Sequence, residues 1–187
     1  DHRGSYGCEI WISSCVPIGS HEGKKIFVNK DSVSIIHTSQ RYILIRVLAD
    51  PFSFVVASAH APWGESSETM KWHRNFSRLL RHCVDKHKYL LVGADLNVTF
   101  STLDPLHGFG KIVKGKVSKH SGDVARLYCD SLVSFPSTQE LCTSVGFQAD
   151  PYTYVTKEGN NFKTIDYIMS SKDINIKSGS ICSLSEL

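Results

Sequence analysis

The stretch Tyr89-Leu90-Leu91-Val92-Gly93-Ala94-Asp95-Leu96-Asn97 passes from an apolar run to a carboxylate and an amide two residues apart. On an extended backbone those two side chains point the same way. They could hold a phosphate oxygen and a water side by side. The competing reading is an Asp/Asn-rich turn after a strand. Two more residues bear on the choice: His60, after the apolar run Phe54–Ala59, and Asp166, between Ile165 and Tyr167. A carboxylate in a central strand costs several kcal/mol, of the order expected for an uncompensated buried charge, unless it is paired or metal-linked. Asp166 therefore either holds a partner or lies on an exposed strand.

The elements around these residues can be read in turn. Cys8–Ile12, Val33–His37, Tyr42–Leu48 and Phe54–Ala59 read as strands, joined by short links at Ser39-Gln40-Arg41 and Asp50-Pro51. Such a run indicates an antiparallel meander. Trp72, Phe76, Leu79, Leu80, Cys83 and Val84 then recur at helical spacing, predicting an amphipathic helix over residues 66–87. Lys71, Arg74, Arg78 and Arg81 line its other side, which reads first as a solvated face. Strand, helix, strand is a crossover unit, so Phe54–Ala59 and Tyr89–Val92 should run parallel. Their carboxyl ends then share one edge, where ligands of such sheets gather. The topology thereby brings His60, Asp95 and Asn97 together.

Residues 101–122 follow no period. Between Pro105 and Gly122 the segment holds Lys111, Lys114, Lys116 and Lys119 and no acid. Beside a phosphate site such a loop could touch a nucleic-acid backbone, and a solvated insertion is the alternative. Asp123 is expected to cap a second helix running to about Phe135, before Pro136. Residues 138–145 suit either a helix or a strand. Tyr152–Val155 and Thr164–Met169 read as a hairpin, with a last strand around Ile174, Ile176 and Ile181.

The 187 residues suit one domain with a sizeable core. A net charge of +3 is too small to dictate partners. Cysteines stand at 8, 15, 83, 129, 142 and 182 with no C-x-x-C pair, which argues against a zinc site. Free thiols in a reducing compartment are expected. No apolar run approaches the roughly 18 residues of a membrane span, and no signal peptide is visible. An intracellular monomer, nuclear or cytoplasmic, is the expectation.

Four pieces resemble the endonuclease/exonuclease/phosphatase superfamily, which includes deoxyribonuclease I, abasic-site endonucleases and LINE-type retrotransposon endonucleases. They are Gly7-Cys8-Glu9-Ile10-Trp11-Ile12, Ser58-Ala59-His60-Ala61-Pro62, Gly93-Ala94-Asp95-Leu96-Asn97 and Thr164-Ile165-Asp166-Tyr167-Ile168. The third is similar to a Gly-Asp-x-Asn motif with Ala94 inserted. The fourth is similar to Arg-Ile-Asp-Tyr-Ile with Thr164 in place of arginine. Tyr152-Thr153-Tyr154 resembles the Thr-Trp pair that precedes that strand. The resemblance implies a two-sheet α/β sandwich with flanking helices, incomplete at both ends, as a single domain over residues 1–187. It implies Mg²⁺-assisted hydrolysis of a phosphodiester in DNA or another nucleic acid, with Mn²⁺ as the alternative ion. Asp95 would bind metal and take a proton from the attacking water. Asn97 would orient that water or donate to a phosphate oxygen. His60 would act as general acid or transition-state donor, and Asp166 would orient a catalytic histidine. Thr153, Tyr154, Lys111 and Lys114 would contact substrate.

The family's first strands carry an Asn and a metal-binding Glu, and its last strand carries Ser-Asp-His. None of these is found in its place here. A retroelement-derived endonuclease impaired as this fragment is therefore expected. A phosphatase or phospholipase of the same superfamily, or a non-catalytic nucleic-acid-binding remnant, are the alternatives.

Overall fold

The computed structural model describes residues 7–87, 89–99, 118–131, 154–155, 162–163 and 165–170. The centre is a five-stranded sheet of β3 (Val33–Thr38), β4 (Tyr42–Ala49), β5 (Phe52–His60), β6 (Leu90–Asp95) and β9 (Asp166–Ser170), hydrogen-bonded in that order. Two ribbons, β1 (Gly19–His21) with β2 (Lys24–Ile26) and β7 (Tyr154–Val155) with β8 (Phe162–Lys163), are separate sheets. Helices α1 (Ser67–His87) and α2 (Lys119–Ser131) and a short 3-10 turn at Lys30–Ser32 complete the described elements. No helix among the described residues is long and apolar enough to cross a membrane.

The expected meander forms: β3, β4 and β5 are successively antiparallel. The Asp50-Pro51 link leaves Ala49 facing Phe52, and the ladder keeps step out to Tyr42 facing Ala59. The crossover also forms. β5 and β6 are parallel, with Val55 against Leu90 and His60 against Asp95. Val55, Ala57, Ala59, Leu90, Val92 and Ala94 alternate into one buried face, and Phe76, Leu80 and Cys83 of α1 pack onto it. The opposite face buries Ile45, Val47 and Ala49, with Ile10 and Ile12 packed against them.

Several elements differ from the sequence reading. Cys8–Ile12 forms no strand; Ile10 and Ile12 do turn inward, but the segment pairs with none of the described strands. The β1–β2 ribbon was not expected. Its turn places Glu22 and Gly23 at φ 50° and 77°, the left-handed pair that suits a two-residue hairpin. The second helix starts four residues before Asp123. Ser118 caps it, its Oγ accepting from Ser121 N at 3.1 Å. The partner of β7 is β8, while the Asp166 strand joins β6 instead. Residues 138–145 and the strand expected around Ile174, Ile176 and Ile181 lie outside the described residues.

Helices α1 and α2 meet through aromatic rings and one buried imidazole. His73 is 0% exposed, and its Nδ1 shares a 2.9 Å hydrogen bond with the Tyr128 hydroxyl. Burial, helped by the nearby His120, pushes the His73 pKa down to about 3. The folded chain thus refuses a proton that the unfolded chain accepts below its ordinary value of about 6.5. The stability held by the neutral ring is complete above about pH 6.5 and is lost as the pH falls toward 3, at up to about 1.4 kcal/mol per unit. His73→Gln should therefore lose less stability than the wild type between about pH 6.5 and 4.5, read from urea midpoints. Parallel losses in the two proteins would contradict this account.

Candidate active site

The β5–β6 register decides the site. His60 and Asp95 end adjacent parallel strands at matched positions, on the sheet face opposite α1. His60 Nε2 lies 3.7 Å from Asp95 Oδ2, with the side chains 40% and 29% exposed. That is ion-pair range but longer than a hydrogen bond. Both groups are open to solvent, and catalytic contacts often tighten only with substrate in place.

Asp166 pairs with Asp95 across the antiparallel β6–β9 ladder. Burial alternates along β9 as the sequence requires: Ile165, Tyr167 and Met169 are buried, while Asp166 and Ile168 face outward. Asp166 is thus exposed on the strand that ends the described sheet, not sunk in a central one. The Asp95 carboxyl is raised above its ordinary value, first by partial burial and also by repulsion from Asp166. The Asn97 N–H and His60 pull it back.

Asn97 reaches the same corner by a different backbone path from the one expected. β6 stops at Asp95, and Asn97 takes φ 53°, in the left-handed region. Asparagine tolerates that region better than most residues. The strand rule for residues two apart therefore fails here. Instead Asn97 N donates to Asp95 Oδ1 at 2.9 Å, and Asn97 Nδ2 donates to the Ala61 carbonyl at 2.8 Å. Ala61 N donates in turn to the Asp95 carbonyl at 2.8 Å. These bonds fasten the exits of β5 and β6 to each other. Leu96 N donates to Ile165 O at 2.8 Å, which secures β9 alongside.

Two residues of this corner were not singled out in the sequence. Arg41 lies opposite His60, one step beyond the Tyr42–Ala59 pair. Its carbonyl accepts from His60 N at 2.8 Å and its Nη1 donates to His60 O at 3.5 Å. The signal was available, because the tight Asp50-Pro51 link fixes which β4 residue faces His60. The Cys8 thiol donates to the same Arg41 carbonyl at 3.2 Å, and burial pushes its pKa up. Of the remaining expected site residues, Lys111, Lys114 and Thr153 lie outside the described residues. Tyr154 is in β7, but its side chain is not among those described.

Among the described residues no group of three or more His, Cys, Asp or Glu side chains gathers to hold a metal. Asp95 and Asp166 still form a pair of neighbouring carboxylates whose repulsion a cation would relieve. Mg²⁺ commonly uses one or two carboxylates and completes its shell with waters and phosphate oxygens. The donor set fits that lower limit.

No protein-family model matches the sequence, and no curated protein matches it. Solved structures do match in shape. The endonuclease domain of TRAS1, a telomere-specific non-LTR retrotransposon, superposes with a TM-score of 0.51 at 10% identity, over 84% of this chain and 66% of that one. The 3′ phosphatase NExo from Neisseria, bound to product DNA hairpin, gives 0.52 at 16% identity, over 78% and 60%. The chain shares the fold of these two structures. The chain spans under two thirds of the NExo structure and 66% of the TRAS1 domain. The α/β deoxyribonuclease I-like architecture expected from the sequence is thus the one adopted. Within this fold the His60–Asp95 corner occupies the carboxyl edge of the parallel pair.

A site carboxylate held above its ordinary pKa works against folding while it is charged. Asp95→Asn keeps an oxygen to accept from Asn97 N and removes the repulsion with Asp166. Its melting temperature should equal or exceed that of the wild type. Asn97→Ala should be destabilised by about 1–3 kcal/mol, from the lost hydrogen bond to Ala61 and the left-handed backbone. A stable Asn97→Ala, or an Asp95→Asn that melts several degrees lower, would contradict this geometry.

Proposed function

We propose that this chain carries part of a metal-dependent phosphodiester hydrolase site of endonuclease type, acting on DNA as a monomer. The observation that carries the proposal is the matched His60–Asp95 position at the carboxyl edge of β5 and β6. The superfamily fold supports a hydrolase. The likeness in fold to the TRAS1 endonuclease domain keeps a retroelement origin in view.

In this reading Asp95 takes the proton of the attacking water. Asn97 holds the exit turn with one amide hydrogen and keeps the other, with its carbonyl oxygen, for that water or a phosphate oxygen. His60 donates to the leaving oxygen or to the charged transition state. Asp166, beside Asp95, orients an imidazole. Asp95 and Asp166 would hold Mg²⁺ or Mn²⁺, which when bound would supply neutralisation of phosphate charge. Lys111, Lys114, Thr153 and Tyr154 remain the proposed substrate contacts.

A phosphomonoesterase is the second reading, favoured by the likeness to a 3′ phosphatase. Nicking of supercoiled plasmid in Mg²⁺ separates the two. The wild type, carrying part of the site, should give relaxed circles slowly, chelation should abolish them, and Asp95→Asn and His60→Ala should each lose on the order of 10²-fold or more of that activity. Phosphate release from a 3′-phosphorylated oligonucleotide or from inositol phosphates, with plasmid left intact, would overturn the endonuclease reading.

A further inference from the structure

The outer face of α1 carries a row of cations that the hydrolytic corner does not use. Lys71, Arg74, Arg78 and Arg81 are all exposed. Steps of three, four and three residues keep them on one stripe, which rises roughly 15 Å along the axis. None of the four side chains makes an ion pair or a hydrogen bond among the described residues. No acid stands between Glu68 and Asp85, so the stripe is uninterrupted. Like charges at this spacing repel, so the neighbouring cations within the row do not support one another on the helix.

The character of the face narrows its partner. Exposed large apolar side chains lie elsewhere, at Trp11, Ile35, Trp63 and Ile168 among others, and none lies on α1. A helix that settles on a membrane sets such side chains beside its basic face. Three of the four cations are arginine, whose planar fork suits phosphate oxygens. α1 starts seven residues after His60 and runs back from the carboxyl edge of β5 to the start of β6. The row therefore begins near the carboxyl edge of β5 but across the sheet from the His60–Asp95 corner, so a strand joining the two must turn round that edge.

We propose that this row is a second phosphate-backbone track, holding a single-stranded stretch of nucleic acid that extends from the corner along α1. A stiff duplex gripped at the sheet edge could not make that turn, whereas a flexible strand can. The track requires binding but not hydrolysis, so its test is run without divalent metal.

The test is fluorescence anisotropy of a fluorescein-labelled thymidine 20-mer over a series of salt concentrations. Neutralising Lys71, Arg74, Arg78 and Arg81 to Gln together should weaken binding at least about 10-fold at low salt. It should also flatten the log K against log salt slope by about 3, at roughly 0.7 per phosphate contact on single strands. Gln has nearly the helix propensity of Lys and Arg, and circular dichroism checks that α1 is kept. The milder pair Arg74→Gln/Arg78→Gln should flatten the slope by about half as much. Unchanged affinity and slope in both variants would overturn the track. So would a wild type that ignores the oligonucleotide but binds anionic phospholipid vesicles. Failure to cleave plasmid with the slope change present would remove the hydrolytic reading alone.

Discussion

The parallel ladder between β5 and β6 is the constraint on which the rest depends. Its register follows from packing, not from the site. Val55, Ala57 and Ala59 must share a buried face with Leu90, Val92 and Ala94 under α1. A slip of one residue in either strand would turn that strand's set to the other face. Fully burying each larger apolar side chain contributes about 1.5–3 kcal/mol, so the register is strongly held. Once it is held, the residues that end the two strands must meet. His60 and Asp95 are those residues.

The corner they make is held against its own electrostatics. Two carboxylates face each other across β6 and β9, and Asp95 is partly removed from water. Asn97 adopts a backbone conformation disfavoured for residues with a side chain. Neither feature helps the fold. Both are maintained by surrounding bonds, from Asn97 to Ala61 and from Leu96 to Ile165, and by the sheet beneath. Strain and charge that the scaffold supports at one edge are the usual mark of a working site.

How much of this was legible in the sequence varies with the kind of signal. The crossover could be read because Phe54–Ala59, the periodic helix and Tyr89–Val92 each carry a clean apolar pattern. The placement of His60 near Asp95 followed from the crossover, which makes the two strands parallel and puts their carboxyl ends at one edge. The alternation around Asp166 was also readable, but its exposure was not, since the position of β9 at the end of the described sheet is a tertiary fact. Asn97 was misplaced geometrically because strand alternation was carried past the last residue of β6. The cap at Ser118 was missed because Gly115 and the lysines around it masked the start of the periodic run. Cys8–Ile12 has a strand's alternation without a partner among the described strands, and pattern cannot distinguish the two. His73 is not among the apolar residues that set the helical pattern of residues 66–87, and its own type carries no signal of burial. Only the packing of α2 shows it buried on Tyr128.

If His60 and Asp95 work as one unit, their contributions to catalysis cannot be independent. The direct measurement is a double-mutant cycle on plasmid cleavage in Mg²⁺, comparing His60→Ala, Asp95→Asn and the double variant. The account predicts that the double variant cleaves about as slowly as the slower single one. Losses that multiply across the cycle would show two separate groups, and the shared corner would then not be the seat of hydrolysis.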